Sequence, residues 1–146
     1  MKQVYFICVA MIILSSSCKP AKETMQSTTP LYNTKWLLKK IHDNGNEEVV
    51  NTKAFIRFDE EKGSAGGNGS CNNFGSNAAV NSNEVSFKNI FSTKMYCEEV
   101  QQTENKYLKQ LGTANRFEIK NKSLFLYHDK EKLLEFLAEE QIKSTE

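Results

Sequence analysis

The sequence predicts an α+β fold that is mainly β: a curled antiparallel sheet, a partial barrel, with one α-helix packed against it. Three observations carry this. Apolar residues alternate with polar ones in several short runs, as they do on strands with one buried face. A single stretch after residue 92 changes to helical spacing. No other helical stretch is present to serve as a crossover between parallel strands, so the strands pair antiparallel.

The elements follow in order. Residues 34–41 (TKWLLKKI) place Trp36, Leu38 and Ile41 in a first strand, and Asp43-Asn44-Gly45 supplies a turn. Residues 54–59 (AFIRFD) form a second strand, with Ile56 and Phe58 on one face and Arg57 on the other, before a turn at 60–63. Val85 and Phe87 repeat the alternation. Val100, Tyr107, Leu108 and Leu111 then recur at helical spacing, and Gly112 stands where a helix commonly stops. A helix of about four turns is expected from Glu98 or slightly earlier. Three short strands fit 117–120, 123–127 and 133–138, with the two-residue link Asn121-Lys122 marking a hairpin.

The N-terminus decides which residues belong to the fold. Met1-Lys2 is followed by an uncharged apolar run over 4–14 and then by Ser15, Ser16, Ser17 and Cys18. That order reads as a signal peptide over 1–17, because the run is only about half of the roughly 20 apolar residues a membrane span needs. Small residues before a cysteine resemble a lipoprotein signal, in which cleavage leaves Cys18 as the first residue with a diacylglycerol on its thiol. The familiar pattern has Leu three positions before the cysteine, whereas here Ser15 holds that place and Leu14 lies one further back. Ordinary secretory cleavage near Ser17 is the other reading. The expected location is the cell envelope, anchored to a membrane at its periplasmic face or in the outer membrane.

Residues 18–32 are read as the lipidated cysteine and a flexible tether, since 19–30 hold Met25 as their one large apolar residue. The domain is expected over 33–138 and a polar tail over 139–146. The whole chain has 146 residues with 19 Lys and Arg against 18 Asp and Glu, a formal net charge of +1. Removing Lys2 with the leader brings it to zero. A neutral domain without a like-charge run lacks the footprint of nucleic-acid binding and of polybasic attraction to lipid headgroups.

The most distinctive stretch is 63–75 (GSAGGNGSCNNFG), whose glycines and asparagines suit a bulged strand and a turn with close backbone approach. It lacks the Lys and Ser or Thr that would follow the last glycine of a phosphate-binding loop. Gly66, Gly67, Asn68, Asn72 and Asn73 form a candidate binding loop if this segment contacts a ligand.

Trp36 in an early strand, a Gly-rich turn leading to Cys71-Asn72 with Phe74 and Gly75 behind it, then Thr93-Lys94-Met95-Tyr96-Cys97 before a helix, resemble the META domain, also called HslJ-like. The resemblance runs over most of the chain after Cys18. Its Gly-Cys-Asn and Thr-x-Met-Ala-Cys elements are specific in combination. This chain has Ser70 where Gly is usual and Tyr96 where Ala is usual, departures that touch packing rather than chemistry. The resemblance implies a small curled antiparallel sheet with one helix in envelope or secreted proteins linked to heat response, antibiotic tolerance and motility. It implies no established catalysis and no cofactor.

Cysteine count bears on the compartment independently. With Cys8 in the leader and Cys18 taken by lipid, Cys71 and Cys97 remain. One disulfide is expected, worth roughly 3 to 4 kcal/mol on the chain-entropy account, with two buried free thiols as the alternative. His42 and His128 fall at expected turns without partners at metal-ligand spacing, so exposed loop histidines are expected and no metal site. No Gly-x-Ser-x-Gly elbow occurs. Glu60-Glu61, Glu98-Glu99 and Glu139-Glu140 are adjacent pairs whose side chains diverge into solvent. Asn68-Gly69-Ser70 and Asn121-Lys122-Ser123 match the glycosylation pattern by chance.

These features point to a non-enzymatic envelope lipoprotein that binds an unidentified envelope protein or ligand, or supports envelope integrity under stress. A secreted-type inhibitor or small-ligand-binding module is the alternative, and an unrecognised hydrolase, needing a cleft with convergent perturbed groups, is the remotest.

Overall fold

A computed structural model describes residues 29–139. The expected leader, Cys18 with its expected lipid, most of the expected tether and the tail from 140 onward lie outside the described residues. Within them the order is β1 Trp36–Asp43, β2 Asn46–Val49, β3 Phe55–Asp59, β4 Ser64–Asn68, β5 Asn73–Asn81, β6 Glu84–Ser92, α1 Gln101–Thr113, β7 Arg116–Lys120, β8 Ser123–His128 and β9 Glu131–Ala138. All named strand pairs are antiparallel, and the sheet runs β2-β1-β3-β4-β5-β6-β7-β8-β9. β1 also pairs with β9, from Trp36↔Ala138 to Ile41↔Leu134, so the sheet curls round on itself. It is not an even barrel, because β6 and β7 meet through one register pair, Glu84↔Arg116. The mainly β fold with one helix is as the sequence predicts.

Turn chemistry sets the hairpins. Asn44 and Gly45 between β1 and β2 have φ of 51° and 78°, both positive as a tight type I′ link requires. Asn121 (φ 56°) and Asp129 (φ 53°) open the links that join β7, β8 and β9. Alternation then sends Trp36, Leu38, Ile56, Phe58, Leu124, Leu126, Leu134 and Phe136 into one core, each at most 4% exposed. The Trp36 indole N–H donates to Leu31 O at 2.9 Å, which satisfies its one polar group inside.

The helix lays Tyr107 and Leu111 into this core. Tyr107 meets Phe74 edge-on with centroids 5.6 Å apart, and Phe136 at 5.9 Å. Outside the core, Gln110 Nε2 donates to His42 O at 3.0 Å, and Lys106 and Thr103 both bond to Glu48 of β2. The helix thus ties β2 to the rest of the sheet.

Four expectations are corrected. β2 (NEEV) and β5 (NFGSNAAVN) are strands that carry too few large apolar residues to stand out. β2 is held by its hairpin pairing to β1, and β5 turns Phe74, Ser76 and Ala78 fully inward and Val80 in part. The helix begins at Gln101, later than Glu98, because residues 97–100 form a turn in which Cys97 O accepts the N–H groups of Val100 and Gln101. Residues 29–32 belong to the fold and not to the tether: Leu31 is buried and Tyr32 bridges to Phe58. His42 is a β1 residue rather than an exposed turn residue, with its Nε2 buried, unbonded, and 3.8 Å from Glu135.

Candidate functional site

The Gly-rich segment passes from β4 through a tight turn at 69–72 into β5, and the link from β6 to α1 runs beside it. Asn72 joins the two and is 2% exposed. Its Oδ1 accepts from Met95 N and from Thr93 Oγ1, both at 2.8 Å. Its Nδ2 donates to Met95 O at 2.9 Å and to Glu104 Oε1 at 2.7 Å. An amide offers two donors and two acceptor sites, so Asn72 is fully used.

Glu104 closes the knot from the helix and is also 2% exposed. Its Oε2 accepts Asn72 N at 2.6 Å and Cys71 N at 3.0 Å, taking up two backbone donors that the turn leaves unpaired. Gly69 is required beside it: a Cβ there would lie 2.7 Å from Glu104 Oε2 and 2.8 Å from its Cγ. Ser70 follows at φ 128°, a conformation that strains an L-residue and favours glycine. Its hydroxyl meets Thr52 Oγ1 at 2.8 Å.

Cys71 and Cys97 form a disulfide across the same junction, with Cα atoms 5.9 Å apart and a sequence separation of 26. The link 93–97 is therefore fixed at Thr93, at both backbone polar atoms of Met95, and at Cys97. Between these fixed points the side chains of Met95 and Tyr96 stand 59% and 78% exposed. Tyr96 thus projects into solvent, and its departure from the usual Ala is a surface change and not a packing one.

The five candidate loop residues divide. Asn72 is consumed in the knot. Gly67 lies against β3, where a Cβ would come within 2.1 Å of Phe55 O. Asn68 and Asn73 are a register pair on the outer side, joined by Asn68 Nδ2 to Asn73 Oδ1 at 3.2 Å, and Gly66 pairs with Gly75 on the same face.

As chemistry, the knot has nothing to give a substrate, since the Glu104 carboxylate is committed to three N–H donors of its own chain. A cleft of about 690 Å³ beside β3 and β4, lined by Tyr32, Arg57, Asp59, Ser64 and Gly66 among others, is no better equipped. The Lys62 ammonium holds the Asp59 carboxyl below its ordinary range, and burial followed by the Glu60 charge pushes the Tyr32 phenol up. Both move away from neutrality, opposite to what acid–base catalysis uses. No group of three or more His, Cys, Asp or Glu that could hold a metal ion occurs among the described residues. None of their helices is long and apolar enough to cross a membrane.

The sequence profile of the META domain matches residues 29–141. This chain belongs to the META domain family. Among solved structures, the META domain here is similar to an NMR structure of a protein from Burkholderia xenovorans, with a TM-score of 0.64 and 21% identity, covering 76% of this chain and 85% of that one. A second NMR structure matches at TM-score 0.52 and 21% identity, covering 71% and 88%. A crystal structure of a DUF4847 family protein from Bacteroides vulgatus matches at 0.46 and 19%, covering 60% of each chain. At these identities the likeness to the two NMR structures is one of fold. No curated protein matches. The META domain is not a known enzyme family.

Glu104 escapes the motif reading, yet a signal for it exists. Val100, Glu104, Tyr107 and Leu111 are spaced by four, three and four residues, so the carboxylate stands in the apolar stripe of the helix. A buried acid on such a stripe requires donors from the element it faces.

Proposed function

We propose that this META domain is a non-enzymatic binding module of the bacterial envelope, tethered through lipid on Cys18, that presents the link 93–97 to a protein partner and supports envelope integrity under heat or antibiotic stress. The observation that carries this reading is the fixing of a short segment by Asn72, Glu104 and a disulfide while its two large apolar side chains point outward. Ordering a loop in advance removes part of the entropy cost of binding, and aromatic and Met side chains are favoured at interface centres. Crosslinking in cells, followed by mass spectrometry, tests it with the wild-type chain, Cys18→Ala and a Met95→Ala/Tyr96→Ala double variant. The reading expects one protein captured by the wild type and lost with the double variant. Capture that is indifferent to residues 95 and 96 would contradict it.

A further inference from the structure

The outer face of β4, β5 and β6 carries a pattern that neither the core nor the polar knot requires. Phe91 is 70% exposed and stands opposite Gly75 in the β5–β6 register. A Cβ on Gly75 would lie 2.7 Å from Phe91 Cζ, 3.1 Å from Cε1 and 3.3 Å from Cε2. Near-equal distances to both Cε atoms, so little longer than that to Cζ, place the point above the end of the ring rather than beyond its tip. The ring therefore lies with one face over the glycine backbone, and its other face looks outward.

Next to this ring β5 and β4 present no charge, while exposed Lys88 of β6 stands opposite Asn77 and exposed Arg57 of β3 opposite Gly66. On β5 the face continues to Asn73 and Asn77, both exposed, and across the register Asn68, Gly66 and Ser64 of β4 stand opposite Asn73, Gly75 and Asn77. The facing glycines Gly66 and Gly75 leave a strip of floor with no side chain. Asn68 is partly engaged, by Asn73 and by the N–H of Ser70, but the Asn77 amide makes no hydrogen bond among the described residues. Beyond β4 the face reaches Phe55 of β3, over which Lys35 and Arg57 lie at 4.9 and 5.6 Å from the ring centroid. Three strand spacings make the trough between the two aromatic rings roughly 14 Å wide. Its β3–β4 side opens into the cleft of about 690 Å³ that Ser64 and Gly66 help to line.

We propose that this face binds a glycan chain, with a sugar ring stacked on Phe91 and its hydroxyls bonded to Asn73 and Asn77. One face of a pyranose is a row of C–H groups that suits the negative face of an aromatic ring. Side-chain amides carry a donor and an acceptor side by side, which matches neighbouring hydroxyls. Lys88, opposite Asn77, sets an ammonium donor beside the amides, which a sugar hydroxyl also accepts. A single ring among amides is also a poor centre for a protein interface, which gathers apolar groups. The site is distinct from residues 95 and 96, so it stands or falls separately from the protein-partner reading.

The test is titration of the full chain in detergent with N-acetylglucosamine hexamer and with maltohexaose, alongside co-sedimentation with purified peptidoglycan. Saturable binding to at least one of the three is expected, weakened about tenfold or more by Phe91→Ala and less by Asn77→Ala, with Tyr96→Ala unchanged. Phe91→Trp keeps the platform if Phe91→Ala fails to fold, and its indole emission should shift when the bound glycan is added. Wild-type protein that binds none of the three, binding that survives Phe91→Ala in a folded chain, or an unchanged indole signal would overturn the proposal. Loss of glycan binding with protein capture through residues 95 and 96 intact would sink this inference alone.

Discussion

At the scale of single residues, the polar groups buried at the rim are worth more than their number suggests. Glu104 answers three donors, and Glu104→Leu would leave Cys71 N, Asn72 N and one of the two Asn72 Nδ2 hydrogens buried without an acceptor. Each orphaned donor costs about 1 to 3 kcal/mol, so a loss of roughly 3 to 5 kcal/mol is expected in denaturant unfolding. Tyr107 gives the opposite case. Its hydroxyl is buried with no partner, and burial pushes the phenol well above its ordinary value of 10.0. Tyr107→Phe should therefore be neutral or stabilising, by up to about 1 kcal/mol. The sign of the pH effect follows from the raised value. The phenol stays protonated in the folded chain while the unfolded chain ionises, so the wild type keeps its full stability below pH 10 and loses it above. Tyr107→Phe should flatten that alkaline loss; a Phe variant that unfolds as readily above pH 10 as the parent would argue against it.

At the scale of elements, the disulfide joins the β4–β5 turn to the entry of the helix. Closing 26 residues is worth about 3.5 kcal/mol on the chain-entropy account, so Cys71→Ser/Cys97→Ser should lower stability by an amount of that order. Alkylation of the wild type without reductant should modify neither cysteine. The same elements show what the sequence made legible. β1, β3 and the last three strands declare themselves because Trp36, Ile56, Phe58, Leu124, Leu126 and Phe136 alternate with polar residues and face one core. β2 has exposed Val49 as its one apolar residue and exists because Asn44-Gly45 folds it onto β1, which is a matter of pairing and not of local pattern. β5 hides behind its small residues. The helix start moved because the Cys97 carbonyl takes the first N–H groups, a tertiary constraint at a disulfide that no helical period records. At the rim, Cys71, Asn72 and Cys97 could be picked out by motif, whereas Glu104 reveals itself only once the helix stripe is laid against the turn it faces.

At the scale of the whole molecule, the curled sheet, the helix and the rim form one arrangement in which the strongest polar contacts serve rigidity. The helix packs Tyr107 and Leu111 into the sheet, holds β2 through Glu48, and presents Glu104 to the turn from the same three turns of backbone. The Lys106 ammonium holds the Glu48 carboxyl below its ordinary value of 4.5, so this outer tie persists at neutral pH and weakens only as acid protonates Glu48. The central claim is that the 69–72 turn and the 93–97 link open only when the entire domain does. Native-state hydrogen exchange at the amides of Asn72 and Met95 measures this directly. The account predicts opening free energies equal to that of global unfolding at both; exchange several kcal/mol easier, in a chain with its disulfide intact, would contradict it.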